Sequence, residues 1–264
     1  MDDPSVPSVT LSGVAVRFGR FTAVSDADLH VKSGEFLAVV GPTGCGKSTL
    51  LNIITGLLRP AAGTVAIFGK PLTGLNGDSG YMLQQDALLP WKTALDNIGL
   101  GLIFQGMPVA QARERALPWL RKVGLDGFES RYPHQLSGGQ RKRVAMAQTL
   151  IMGPKIVLMD EPFSALDVHT RRLMHRILLD LWQEERRSLI FITHDLEEAI
   201  TLADRVLVMS AGPGSRIIGE VPIPLPRPRN VSALATTDEF LHLYREVWGL
   251  LGAEVEKSYA AARH

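Results

Sequence analysis

An α/β architecture built on a parallel sheet is what the sequence predicts, on three observations. Glu35-Phe36-Leu37-Ala38-Val39-Val40 is a short apolar run that stops at a glycine-rich loop, Gly41-Pro42-Thr43-Gly44-Cys45-Gly46-Lys47-Ser48-Thr49. Lys155-Ile156-Val157-Leu158-Met159 is a second such run and ends on Asp160 and Glu161. Ser188-Leu189-Ile190-Phe191-Ile192-Thr193 is a third and ends on His194 and Asp195. Short apolar runs with polar ends read as strands buried on both faces, and their carboxyl ends are where open α/β sheets hold ligands.

The 264 residues suffice for one large α/β domain, or one domain with a small appendage. With a net charge of +1, nothing in the charge balance argues for nucleic acid or an anionic membrane surface as a general partner. Cys45 is the only cysteine, so no internal disulfide forms, and with no charged-then-apolar leader the expected compartment is the cytosol. No apolar run approaches the roughly eighteen residues that cross a bilayer.

In chain order, alternation of apolar and small polar residues predicts antiparallel strands over Val9 to Val16 and Ala27 to Val31. Phe18, between them, can stack on a purine ring or fill a core or turn position. The glycine loop follows a strand and precedes a helix, the context a phosphate-binding loop requires. Gly41, Gly44 and Gly46 admit close approach of backbone to phosphate, and the helix opening near Lys47 adds unpaired N–H groups and a positive dipole end. Lys47 brings a point charge for β and γ phosphates, and Ser48 a hydroxyl for Mg²⁺. Cys45, at a helix start beside a lysine, is expected to be a reactive thiol.

Strands are predicted over Gly63 to Gly69 and Ser79 to Gln84; Gln84 at a strand end can reach Mg²⁺ or an attacking water, or lie exposed. Asp86 to Gly153 reads as helical, with a helix over Val109 to Val123 interrupted at Pro118. Leu136-Ser137-Gly138-Gly139-Gln140 opens a further helix, capped by Ser137; its start is a second anion site or simply a flexible cap. Arg141, Lys142 and Arg143 are expected on a solvated helix face. Asp160 suits the Mg²⁺ shell, and Glu161, one residue on, suits a base that polarises water beyond the γ phosphate.

Ser164 to Asp167 forms a turn before a helix over Val168 to Glu185 whose apolar positions are Leu173, Ile177, Leu178, Leu181 and Trp182. His194 can donate to a γ phosphate or serve as a structural histidine. Strands over Val206 to Met209 and Ile217 to Val221 lead into a stiff connector carrying Pro222, Pro224, Pro226 and Pro228. Thr236 to Glu239 reads as a capping box, and Phe240, Leu243, Tyr244, Val247, Trp248 and Leu251 share one helix face, expected to pack on its own domain, with a partner or membrane surface as the alternative.

From about Val9 to Val221 the sequence resembles the nucleotide-binding subunit of ATP-binding-cassette (ABC) transporters, Leu136 to Gln140 being the most specific element. The resemblance implies an ABC ATPase domain over 1–225. Within it a phosphate-loop NTPase (RecA-like) core spans about 34–85 and 154–221, with an antiparallel β part at about 8–33 and a helical insert at about 86–153. Residues 226–264 form a connector and an amphipathic helix. It further implies ATP and Mg²⁺ as ligands. Phe18 corresponds to the adenine-stacking aromatic, residues Gly41, Pro42, Thr43, Gly44, Cys45, Gly46, Lys47, Ser48 and Thr49 to the phosphate loop, and Gln84 to the Q-loop. Asp160 and Glu161 correspond to the Walker B aspartate and catalytic base, Asp167 to the D-loop and His194 to the switch histidine.

Glu161, His194 and Gln84 are thus the implied catalytic set, and Ser48, Gln84 and Asp160 the implied metal set. Ser137, Gly138, Gly139 and Gln140 would cap the γ phosphate held by a second copy or paralogue. Permease subunits would dock near Gln84 to Trp91, with an extracytoplasmic solute-binding protein as an indirect partner. Ala87 to Trp91 and the short tail are similar to importers of nitrate, sulfonates and taurine, which lie on the cytoplasmic side of the inner membrane. Gln148 departs from the arginine common after the signature helix, and Phe18 from the commoner tyrosine. A soluble cassette acting on nucleic acid or ribosomes would carry a coiled-coil insertion or a second cassette. A phosphate-loop kinase would leave Leu136 to Gln140 and Glu161 without a role.

Overall fold

The computed structural model describes residues 6–261. Strands β1 (Val9–Phe18) and β2 (Phe21–Val31) form a hairpin that turns at Gly19 and Arg20, longer than the alternation alone marks out. Strand β3 (Phe36–Val40) runs into the glycine loop and helix α1 (Lys47–Ile54), followed by β4 (Ala62–Ile67), the two-residue β5 (Lys70–Pro71) and β6 (Ser79–Met82). The insert holds α2 (Ala94–Ile98), α3 (Leu100–Phe104), α4 (Val109–Lys122), a 3₁₀ turn at Pro133–Gln135 and α5 (Gly138–Leu150). Strand β7 (Ile156–Asp160), α6 (Val168–Glu185), β8 (Ser188–Ile192), α7 (Leu196–Leu202), β9 (Arg205–Met209) and β10 (Ile217–Pro222) complete the core, and α8 (Val231–Leu234) and α9 (Asp238–Ala261) form the tail.

Two sheets result. One is antiparallel in the order β2-β1-β4-β5; the other runs β10-β9-β3-β8-β7-β6, parallel except for β10 at its edge. Period-two alternation divides each central strand between two cores. Leu37, Val39, Leu158, Ile190 and Ile192 face the antiparallel sheet and α1, whereas Phe36, Ala38, Val40, Met159 and Phe191 face the helices. Both faces are covered, which is why these strands read as unbroken apolar runs. The register sets Asp160 opposite Ile192, so the polar residues that follow β7 and β8 emerge side by side.

Several local expectations are corrected. Helix α4 passes through Pro118 without a break. Pro118 and Glu114 are both exposed, so the carbonyl that loses its i→i+4 partner can be solvated, while Ala112, Ala116 and Leu120 anchor the buried face. On α6 the buried apolar residues are Met174, Leu178, Leu179, Leu181 and Trp182, Ile177 is half-buried, and Leu173 lies outside them. The cap of α9 is Thr237, whose Oγ1 accepts the Phe240 amide at 3.3 Å; Thr236 instead donates to Ala233 O, so the Thr236 to Glu239 box does not form. Phe240, Leu243, Val247 and Leu251 bury α9 against α7, β9 and β10, but Tyr244 and Trp248 stand exposed beside that seam.

Arg141, Lys142 and Arg143 are ties between elements. Lys142 is buried, pairs with Asp86 at 2.9 Å and donates to Gln84 O; Arg141 binds the other oxygen of Asp86 at 3.1 Å. Arg143 Nη1 donates to the carbonyls of Val123 and Gly124.

Candidate functional site

Strand β3 lies between β8 and β9, and the glycine loop leaves its carboxyl end at the centre of the sheet. Gly41 is required by crowding: a Cβ there would lie 2.8 Å from Cys45 Sγ and 3.0 Å from Met209 Cβ. Gly46, with φ +96°, is the N-cap of α1 and supplies no side-chain bond to it, so the first-turn amides are left for a ligand. Lys47 is buried, and its Nζ donates to Gly41 O at 2.9 Å and Pro42 O at 3.0 Å, holding the ammonium over the loop. The Ser215 amide donates to Ala23 O at 3.2 Å and its hydroxyl to Cys45 O, pinning the loop to the antiparallel sheet. Cys45 is 1% exposed, and burial pushes its thiol above the usual range despite Lys47 nearby. The expectation of a reactive thiol is therefore corrected: burial outweighs the helix terminus.

Uncapped amides, a buried ammonium and the Ser48 hydroxyl fit a polyphosphate. For a cation, the donor chemistry is one hydroxyl, one carboxylate and one amide from Ser48, Asp160 and Gln84. This suits Mg²⁺, which takes few protein oxygens and completes its shell with phosphate and water. Asp160 is buried and accepts the Tyr81 hydroxyl at 3.3 Å; burial, and then this carboxylate, push the Tyr81 phenol above its ordinary range. Gln84 lies exposed just past β6, and its carbonyl accepts Lys142 of α5.

Glu161 leaves β7 with φ +43°, in the left-handed region a glutamate rarely occupies. Its amide donates to Ile192 O at 3.0 Å, and Ser164 Oγ donates back to its carbonyl at 3.0 Å, so the turn is fixed from both sides. The carboxylate meets His194 Nδ1 at 3.1 Å. Two residues 33 apart in sequence are thus paired at the phosphate-facing end of the sheet. Phe18, at the tip of the first hairpin, is 52% exposed and available for stacking.

Ser137 caps α5: its Oγ accepts the Gln140 amide at 3.3 Å, and Gln140 Oε1 accepts the Ser137 amide at 2.8 Å. The Gly138 and Gly139 amides precede the first helical bond, as an anion site needs. Gly139 is also a packing residue, since a Cβ would lie 2.4 Å from Thr170 Cγ2 of α6. Asp167 caps α6, accepting the His169 and Thr170 amides at 3.1 and 3.0 Å; those bonds, Thr170 foremost, hold its carboxyl below the usual range. Sequence reasoning missed the buried His175–Glu198 pair, 2.7 Å apart, and Lys142; only the polar residues at core-facing helical positions signalled them.

A phosphate loop on a parallel sheet, a carboxylate paired with a histidine and a capped Ser-Gly-Gly helix on a separate insert define an ATPase cassette. Residues 24–164 match the ABC transporter family, and the chain belongs to it. An uncharacterised ABC transporter ATP-binding protein of Methanocaldococcus jannaschii is 46% identical over 90% of this chain and 88% of its own length. The taurine import ATP-binding protein TauB of Escherichia coli is 43% identical over 81% of this chain and 83% of its own. Among solved structures, a dimeric post-hydrolysis state of the ATP-binding cassette MJ0796 bound to ADP and Pi superposes with a TM-score of 0.72 at 34% identity. That match covers 83% of this chain and all of the other. The chain is an ABC ATP-binding subunit and an ATPase.

Proposed function

We propose that this subunit drives an importer of nitrate, a sulfonate, taurine or a similar small solute. It would act from the cytoplasmic face of the inner membrane through separate permease subunits fed by an extracytoplasmic solute-binding protein. Two copies, or one copy and a paralogue, close head to tail on two ATP molecules. Each nucleotide is held by Phe18 and by residues 41–49 of one chain and by Ser137, Gly138, Gly139 and Gln140 of the other, with Asp167 at the seam.

Ser48, Asp160 and Gln84 would hold Mg²⁺, which would supply neutralisation of phosphate charge. Lys47 fixes the phosphates, Glu161 takes the proton of the attacking water, and His194 holds that carboxylate and the γ phosphate in one geometry. Hydrolysis removes the ligand that joined the two halves, and the resulting motion passes through the insert near Gln84 to Trp91. The division of the chain at about residue 225 into cassette and appendage belongs to the same reading.

The observation that carries the reading is the 3.1 Å contact between Glu161 and His194 beside the phosphate loop. The likeness to the taurine import protein supports the importer group. Glu161→Gln keeps size and shape while removing the base, so it should bind MgATP, stop turning over and accumulate as a dimer in size-exclusion chromatography with light scattering. A monomeric, rapidly hydrolysing variant would overturn the assignment. Co-purification of an integral membrane protein with the affinity-tagged chain checks the importer; its absence from membranes that express the neighbouring genes counts against it.

A further inference from the structure

The loop carrying His194 is gripped from behind by a network that the hydrolysis scheme above does not use. Glu198, in the first turn of α7, is only 4% exposed. One of its oxygens meets His175 Nε2 of α6 at 2.7 Å, and the other accepts the hydroxyl of buried Thr193. A hydroxyl has a single proton, so donating it to Glu198 turns the lone pairs of Thr193 elsewhere, and they accept the Asp195 amide at 3.0 Å. His194 is thereby bracketed on both sides. Asp195 in turn accepts the Glu198 amide at 3.2 Å and pairs with Arg171 at 2.9 Å. Arg171 and His175 are four apart on α6 and so present one face, which meets residues 195 and 198 of α7. The His175 ring also packs on Phe163, two residues beyond Glu161, with centroids 5.8 Å apart.

A buried carboxylate is costly unless it is fully bonded, and a position needed only for packing would be filled by an apolar residue. Here one oxygen is spent on the hydroxyl of Thr193, the residue before His194, and the other on the His175 ring.

We propose that Glu198 is a positioning residue for ATP hydrolysis, with His175 as its lock: together they hold Thr193, and through it His194, at the Glu161 carboxylate. This rests on the role given to His194 above. An amide at 198 keeps the shape but has one acceptor oxygen where the carboxylate has two, so both holds persist only if His175 moves its proton to Nδ1, for which no hydrogen-bond partner is found among the described residues.

The test is steady-state MgATP hydrolysis by the full chain, with kcat and KM read separately. Glu198→Gln should lower kcat at least about tenfold and leave KM within about twofold, because the loop is misaligned while the phosphate loop is untouched. His175→Leu should fall likewise, whereas His175→Gln, whose amide can still donate to Glu198, should keep at least about half the parent kcat. Thr193→Val and Thr193→Ser form an independent pair, expected slow and near-parental respectively, and they decide the matter should Glu198→Gln not fold. Parental kcat in Glu198→Gln or in Thr193→Val overturns the proposal. So does a conservative variant as slow as its disruptive counterpart, which would mark plain packing. His194→Ala is measured alongside. If it hydrolyses at the parental rate, the reading of His194 itself fails; if it is slow while Glu198→Gln is not, only the positioning role fails.

Discussion

Lys47 donates to two carbonyls of its own loop, so its ammonium is presented to the phosphates with little freedom left to lose. Lys47→Ala removes the only charge the loop contributes, and turnover should fall at least about 100-fold, the scale of losing one preorganised donor at a developing oxyanion. A radiolabelled phosphate-release assay reads this directly. Cys45 sits two residues away with opposite consequences: buried and shifted toward the thiol, it should react with iodoacetamide more slowly than a free cysteine thiol. Quenched mass spectrometry of the native protein checks that rate. Glycine spacing made the loop legible in the sequence, because each glycine answers a local need. The fate of Cys45 was not legible, since it depends on Met209 and Ser215, far along the chain.

Arg229 shows the same limit among elements. It is buried with no ion pair among the described residues, and its guanidinium donates to the carbonyls of Ile200, Thr201 and Ala203 at the end of α7 and of Ile223 and Leu225 in the connector. Burial draws its pKa down to about 10. Arg229→Leu leaves those carbonyls without a donor and should cost roughly 2–4 kcal/mol in urea unfolding, since each orphaned buried acceptor carries a penalty. Nothing in the run of prolines before it announces this role; the proline alternation marks extended chain, and Val221, Ile223 and Leu225 turn inward along it.

Helices α2 and α4 are joined by Asp96 and Arg113 at 2.6 Å, a bond that holds the Asp96 carboxyl below its usual range. A depressed folded-state pKa adds stability at neutral pH that is lost as pH falls through that value, below roughly pH 4. Asp96→Asn should therefore melt lower than the parent at pH 7, and the gap should narrow progressively as the pH falls below about 4 in calorimetry. Helix periodicity located α4, α5 and α6. It misjudged Pro118 and Leu173 because a pattern of apolar residues does not say which carbonyls solvent can reach or where a stripe's edge falls.

Across the whole molecule, the sheet and its two cores were readable because strands covered on both faces leave an unmistakable apolar run. The tail was readable only in part. Its inner stripe seals α7, β9 and β10, so a chain ending after Asn230 should lose at least about 5 °C in melting temperature by differential scanning fluorimetry, from the exposure of surface now covered by Phe240, Leu243, Val247 and Leu251. The pairing of Glu161 with His194 belongs to this scale as well, since neither side chain fixes the other's place. Their spacing is inherited from the alignment of β7 on β8, Asp160 level with Ile192, and from the amide of Glu161 fastened to that same Ile192. Adding or deleting one residue anywhere in 156–161 or 188–194 would advance one partner by about 3.3 Å and turn it to the opposite face, parting the couple outright. Within these two segments, then, the enzyme cannot change its residue count.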